Sequence, residues 1–423
     1  MKNKLPFIAL LALLLTSQQS LVSPVPKPSE TAATQSPNII LIFMDDMGYG
    51  DLSCNGALDI HTPNLDRLAS EGIRFTNFLS SQAVCSASRA SLMTGCYANR
   101  VGISGALFPG AKVGLAKEEM TIADMLKQKN YATGIFGKWH LGDAKEFLPL
   151  NQGFDEYLGL PYSNDMWPVG YDGQPVKSGG NKSQHPPLPL IKNDRPIDTI
   201  NTLEDQATLT GRLADAAIQF IRKNKHKPFF AYIAFQANHI PVQAPQSFID
   251  KYKGRYDAGW DVLRNERRDK AIALGLVPAN SKMANLPSTH VAWNSLSSAD
   301  KAYQARRMEV YAAMAEAMDF HIGRLIAHLK ETGEFDQTVF MFLSDNGAEA
   351  SDPYAVAVGR WWLDQHYNRE LDRLGSKGTF SIIGPNWASA AAAPLSTYKF
   401  FAGEGGIRVP LIISGFPNMP KSA

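Results

Sequence analysis

The sequence predicts an α/β fold: a large, mainly parallel sheet flanked by helices on both faces. Continuous apolar runs of strand length recur along the chain, without the polar alternation of a sheet wetted on one side. Helical or loop-rich stretches separate them, the order that builds a parallel sheet. Chemistry-bearing residues follow the runs directly, at the carboxyl ends where such sheets gather functional groups.

The first run, Asn38 to Met44, ends in Asp45-Asp46. Tyr131 to Phe136 leads into Lys138-Trp139-His140, Pro228 to Phe235 into Asn238-His239, and Thr338 to Leu343 into Asp345-Asn346-Gly347. A last run spans Val409 to Ser414. Between them, Thr62-Pro63 reads as a capped helix start, and Arg306 to Leu329 has helical periodicity. Ser86 to Thr94 lacks proline and is bounded by Gly95, so it reads as a helix with Cys85 at its N-terminus and Arg89 on the same face. The alanine-rich patch from Ala388 to Ala393 is a loop or helix filler, and internal repeats are absent from the sequence.

At 423 residues, 44% hydrophobic and 19% charged, the chain suits a globular enzyme of one large domain or two and excludes disordered and collagen-like classes. A formal net charge of +2 argues against a nucleic-acid partner, so an anionic substrate must be held by a few placed cations. Lys2 and Lys4 precede the apolar run Leu5 to Leu15, after which the chain turns small and polar. This is the layout of a signal peptide over residues 1–21 and predicts export to the periplasm or medium. The run is too short to span a bilayer, so no stable membrane anchor is expected. Residues 22–36 form a Pro/Ser/Thr linker, leaving 37–423 as the catalytic domain. The cysteines are Cys54, Cys85 and Cys96; Cys54 and Cys96 either pair or remain buried thiols.

Asp45, Asp46, Asp345 and Asn346 offer hard oxygen ligands of the kind that suit Ca²⁺ or Mg²⁺ rather than zinc. Either pair alone would read as turn formers. Lys138 and His140 are two apart and, if the chain is still extended, project to one side as anion binders. His239 precedes a rigid Ile240-Pro241 turn, and Lys399 precedes the glycine-rich Gly403 to Gly406. An anion at residue 85 would meet the free backbone N–H groups of a helix N-terminus.

Cys85-Ser86-Ala87-Ser88-Arg89, with Leu92-Met93-Thr94-Gly95 after it, resembles the modification motif of the sulfatase family of the alkaline-phosphatase-like fold, and the resemblance extends over residues 38–423. Gly259 to Arg264, Ala273 to Pro278 and Ser344 to Glu349 are similar to segments of bacterial arylsulfatases. The resemblance implies that Cys85 is oxidised by a maturase to formylglycine, whose hydrate attacks sulfur and then expels sulfate. It implies one Ca²⁺, in preference to Mg²⁺, held by Asp45, Asp46, Asp345, Asn346 and residue 85. Arg89 would hold the hydrate, His140 would deprotonate its second hydroxyl, His239 would protonate the leaving oxygen, and Lys138 and Lys399 would clamp the sulfate. The substrate would be a small-molecule or carbohydrate sulfate ester. A phosphonate monoester or phosphodiester hydrolase, or an inactive sulfated-carbohydrate-binding relative, would use the same site.

Two departures from the family pattern stand out. Ala87 occupies a position that is commonly proline; aerobic maturases favour proline and radical-type bacterial maturases accept alanine, so the maturation route stays open. The sequence stops at Lys421-Ser422-Ala423, just past a strand, so the smaller antiparallel C-terminal subdomain of the family is expected to be missing.

Overall fold

The computed structural model describes residues 36–166, 187–200, 203–286, 290–376 and 378–416. The expected signal peptide and nearly all of the linker lie outside them. The strands are β1 (Asn38–Met44), β2 (Ile73–Phe75), β3 (Ala132–Lys138), β4 (Glu156–Leu160), β5 (Leu188–Lys192), β6 (Arg195–Ile200), β7 (Phe229–Ala234), β8 (Thr338–Ser344) and β9 (Leu411–Ser414). The helices are α1 (Pro63–Glu71), α2 (Cys85–Thr94), α3 (Ile122–Gln128), α4 (Leu203–Asn224), α5 (Gln246–Ile249), α6 (Trp260–Ala273), α7 (Ser298–Glu331), α8 (Ala357–His366), α9 (Gly384–Ala391) and α10 (Glu404–Ile407).

The strands form one sheet in the order β2-β9-β8-β1-β7-β3-β4-β5-β6. From β8 to β4 every neighbour is parallel, which confirms the expected core of the sheet. The strand at the end of the described chain differs from its neighbours: β9 runs antiparallel to β8 and to β2. The strands that the sequence did not reveal, β2, β4, β5 and β6, lie toward the sheet's margins. Pro196 lies on the edge strand β6, and Pro189 of β5 lies outside the short register, Ile191 and Lys192, that pairs β5 with β4.

Burial explains why the central strands read as unbroken apolar runs. Ile40, Ile42 and Met44 of β1 enter one core with Leu65 and Leu68 of α1, Leu213 and Phe220 of α4, and Met308 and Ile322 of α7. Leu41 and Phe43 enter a second core with Ala90 and Met93 of α2 and Ala123 and Leu126 of α3. Both faces of the strand are therefore apolar, and each such side chain contributes about 1.5–3 kcal/mol on burial. The helices cover both faces of the sheet, as expected.

Thr62 is at the N-cap of α1, but its side chain does not cap the helix. Its hydroxyl instead accepts from the Ser53 backbone N–H at 3.2 Å. The N–H groups of Asn64 and Leu65 donate to the Asp319 carboxylate on α7, at 3.1 and 2.9 Å. A tertiary carboxylate does the work expected of the local threonine. The alanine-rich patch forms the second half of α9, and there small residues are required: a Cβ on Gly48 would lie 2.4 Å from the Ala391 carbonyl oxygen. The loop after β1 therefore packs directly on the backbone of α9.

That loop is also braced by charge. Arg267 of α6 donates to Asp51 Oδ1 at 2.7 Å and to Asp59 Oδ2 at 2.8 Å, with all three side chains enclosed. The Tyr311 hydroxyl of α7 donates to Asp51 Oδ2 at 2.7 Å and lies 3.2 Å from the Asp46 carbonyl oxygen. Arg267→Ala would leave two buried carboxylates without their cation, and urea unfolding should show a loss of about 3–5 kcal/mol. A loss below about 1 kcal/mol would mean the pair is solvent-screened.

Candidate active site

In the parallel register of β1 and β8, Met44 is opposite Ser344, so the two chains leave the sheet side by side. The Asp345 N–H bonds the Met44 carbonyl at 3.1 Å, and the Asp46 N–H bonds Asp345 Oδ1 at 3.2 Å. Asn346 Nδ2 donates to Asp46 Oδ1 at 2.7 Å, while Asn346 Oδ1 is buried without a hydrogen-bond partner. On the other side of β1, the Asp45 N–H bonds the Ala237 carbonyl at 2.9 Å, next to Asn238-His239 at the end of β7. Gly347 makes the rim compact, because a Cβ there would lie 1.9 Å from the Gly405 carbonyl oxygen. The glycine-rich segment thus packs directly against the backbone that follows Asp345-Asn346.

Helix α2 begins at Cys85, and the preceding Val84 provides no side-chain cap, so its first-turn N–H groups are open to an anion. The Cys85 sulfur is 3.5 Å from Asp45 Oδ1. Residue 85 is buried among charged groups and lies outside both apolar clusters. One turn on, Arg89 Nη2 lies 2.8 Å from Asp345 Oδ2 and 3.5 Å from Asp45 Oδ2, and Nη1 donates to the Lys138 carbonyl at 3.2 Å. The guanidinium also lies 5.1 Å from the Phe43 ring centroid.

Lys138 and Lys399 are both buried, although an isolated lysine at 399 would ordinarily be taken for a surface residue. Lys138 Nζ lies 2.6 Å from Asp45 Oδ2. Lys399 Nζ lies 2.8 Å from Asp46 Oδ1 and 2.8 Å from Glu349 Oε2. His140 does not share a face with Lys138 through strand alternation, since β3 ends at Lys138 and His140 takes a left-handed φ of 60°. That turn sets its Nε2 2.8 Å from the Leu107 carbonyl, which fixes the proton on Nε2 and leaves the unpartnered Nδ1 as an acceptor. His239 Nδ1 donates to the Ile240 carbonyl at 2.7 Å, so its Nε2 faces the site, 3.5 Å from Asp46 Oδ2.

The Ser163 hydroxyl lies 3.2 Å from both Lys138 Nζ and His239 Nε2, bridging two groups singled out from sequence. It and Glu349 were not assigned roles there. Ser163 sits in a stretch that carries no motif, and Glu349 in a segment read for its aspartate and asparagine.

Four buried carboxylates, Asp45, Asp46, Asp345 and Glu349, meet three buried cations, Arg89, Lys138 and Lys399. Burial opposes ionisation of Asp45, but Lys138, His239 and Arg89 outweigh it and hold this carboxyl well below the usual range. Burial, reinforced by neighbouring aspartates, pushes Asp46 and Asp345 up to about 7. Burial likewise raises the Cys85 thiol and lowers His140 and His239. Candidate ligand atoms of Asp45, Asp46, Cys85 and His239 lie within 4.8 Å of one another. Asp345 and Asn346 are hydrogen-bonded to Asp46 of that group, through its backbone N–H and its Oδ1. The clustered carboxylates and the orphaned Asn346 Oδ1 fit a hard divalent cation, which would relieve their repulsion.

A family model described as Sulfatase matches residues 37–421. An uncharacterized sulfatase of Schizosaccharomyces pombe is 36% identical over 414 residues, covering 93% of this chain and 72% of the relative. An arylsulfatase of Klebsiella aerogenes is 31% identical over 406 residues, covering 92% and 82%. Human arylsulfatase A is 40% identical over 232 residues, covering 52% and 45%. Among solved structures, Ps i-CgsB in complex with k-i-k-neocarrahexaose superposes with a TM-score of 0.61 at 28% identity, covering 92% of this chain and 67% of that one.

Cys54, Cys85 and Cys96 are all free, which excludes the Cys54–Cys96 pairing. Burial pushes the Cys54 thiol up to about 12, with Asp66 adding to the shift. At about pH 8, iodoacetamide should therefore label the partly exposed Cys96 in the native protein well before Cys54 or Cys85. In denaturant all unconverted cysteines should react. Peptide mapping in which Cys85 is labelled first would contradict the enclosed site.

Proposed function

Because the chain belongs to the sulfatase family, we propose that it is an exported sulfuric ester hydrolase of the arylsulfatase type, cleaving sulfate monoesters to an alcohol and inorganic sulfate. The observation that carries this reading is the position of Cys85: at an open helix N-terminus, 3.5 Å from Asp45, with Arg89, Lys138 and Lys399 buried around it. Such a site is built to desolvate a small anion and hold it by fixed charge.

Conversion of Cys85 to formylglycine would supply, as the hydrate, a nucleophilic oxygen and a second hydroxyl to drive sulfate release. Ca²⁺ held by Asp45, Asp46, Asp345, Asn346 and the oxygen at position 85 would supply Lewis-acid charge; the crowded, buried carboxylates suit it better than strictly octahedral, water-keeping Mg²⁺. Arg89, pinned by Asp345, Asp45 and the Lys138 carbonyl, orients the group at residue 85. His140 accepts a proton at Nδ1, the nitrogen its Leu107 contact leaves bare. His239, once protonated to the imidazolium beside Asp46, would give the Nε2 proton to the leaving oxygen while Nδ1–H stays on the Ile240 carbonyl, and the Ser163 hydroxyl contacts that Nε2. Lys138 and Lys399 neutralise the sulfuryl oxygens. Ala87 supports maturation by a radical-type enzyme, and the leader-like residues 1–21 support export.

The name of the Klebsiella aerogenes relative supports an aryl ester, and the carrahexaose bound to Ps i-CgsB keeps carbohydrate esters in view. The decisive comparison is between 4-nitrophenyl sulfate and bis(4-nitrophenyl) phosphate. The sulfate should be the better substrate; a reversed preference would favour a phosphodiester hydrolase. Cys85→Ala should lower kcat by ~10⁴-fold or more with an unchanged melting temperature, because the side chain sits among polar groups outside the apolar clusters.

Calcium at about 100 times its Kd should stabilise the fold by about 2.7 kcal/mol, reversibly with chelator. Asp46→Asn should largely abolish that increment. Identical thermal unfolding in calcium and chelator would contradict the metal assignment.

A further inference from the structure

Among the described residues, the non-glycine positions with positive φ are Asp46, Asn130, His140, Asn193, Thr397 and Phe400. Asn130 and Asn193 belong to the residue type that tolerates this conformation. The others all lie at the site or on its rim. Phe400 stands out because an aromatic side chain gains nothing locally from a φ of 72°, and because the residue is 59% exposed. Such a conformation persists only where the surroundings hold it, and it clusters at functional positions.

The surroundings that hold Phe400 are parts of the site itself. Its N–H donates to the carbonyl of Ala83, two residues before Cys85, at 2.9 Å. The preceding Lys399 is anchored through its own N–H to the Ala348 carbonyl and through Nζ to Asp46 and Glu349. Thr397 is also left-handed, and the flanking Ser396 carbonyl accepts the Gly405 N–H at 2.7 Å. The Phe400 ring centroid is 5.2 Å from Lys399 Nζ. A solvent-facing ring therefore stands about one side-chain width from the cation that faces the anion-binding pocket.

The residues of the site are enclosed. Cys85, Asp46 and Lys399 are 2%, 0% and 3% exposed, so an ester bound there must direct its alcohol outward across the rim. We propose that Phe400 is a specificity-determining residue: its ring stacks on the leaving group and selects aryl sulfates over esters of small saturated alcohols. This rests on the sulfate-ester reading of the site and adds the residue that would read the alcohol. Offset or edge-on aromatic pairing adds a preference of roughly 3- to 10-fold in binding.

Calorimetric titration in calcium with benzenesulfonate and methanesulfonate tests this assignment, since both carry the anionic head and neither has an ester bond to break. Wild type should bind benzenesulfonate roughly 3- to 10-fold more tightly than methanesulfonate. Phe400→Ala should erase that ratio while leaving methanesulfonate within about 2-fold, and Phe400→Tyr should keep it. Phe400→Gly, which suits the left-handed backbone, should lose the preference yet melt no lower than wild type, whereas a purely structural phenylalanine would leave a less stable protein. Equal weakening of both sulfonates by Phe400→Ala, or an intact preference, overturns the assignment. Hydrolysis of 4-nitrophenyl sulfate by a wild type that shows no ring preference defeats Phe400 alone. Converted protein that neither hydrolyses the ester nor binds either sulfonate defeats the sulfate reading and this assignment with it.

Discussion

Buried negative charge at the carboxyl edge of the sheet is the constraint on which the rest of the structure depends. Asp45 and Asp46 follow β1, and Asp345 follows β8, because two parallel neighbours in register deliver their ends to the same place. Repulsion among these groups cannot be relieved by water, since each is fully enclosed. Cations from distant parts of the chain relieve it: Arg89 from α2, Lys138 from the end of β3, and Lys399 from the loop before α10. Each is held by the acids it neutralises, so the fold and the anion-binding site share the same contacts.

The supports behind this cluster are equally specific. Arg267 and Tyr311 brace the loop that follows Asp46, with α9 packed directly against Gly48. Asp319 caps α1 from another helix. Left-handed backbone at Asp46 and His140 turns side chains toward the site where an extended chain would turn them away. Tyr311 and the alanines of α9 also belong to the apolar core on one face of the sheet, so the supports of the site are part of the packing that holds the fold.

Much of this was legible in sequence, for physical reasons. Strands buried on both faces give long apolar runs, and a parallel sheet gathers its chemistry at their ends, so Asp45, Lys138, His239 and Asp345 could be placed without coordinates. The helix at Cys85 was legible from its composition and its terminal glycine. Partnership was not. Lys399 and Asp46 are 353 positions apart, and nothing near Lys399 marks it as buried. Ser163 and Glu349 carry no motif of their own and gain meaning only from what they touch. The left-handed turn at His140, the antiparallel direction of β9 and the capping of α1 by Asp319 are tertiary outcomes that local pattern does not encode.

The central claim is that this cluster works through a converted residue 85. Its most direct test is to prepare the protein with and without a co-expressed maturase, determine the converted fraction by mass spectrometry of the peptide spanning residue 85, and measure kcat on 4-nitrophenyl sulfate for each preparation. Rates should rise in proportion to the converted fraction and extrapolate to zero for unmodified cysteine. Full activity in protein that retains Cys85 as a thiol would contradict the account.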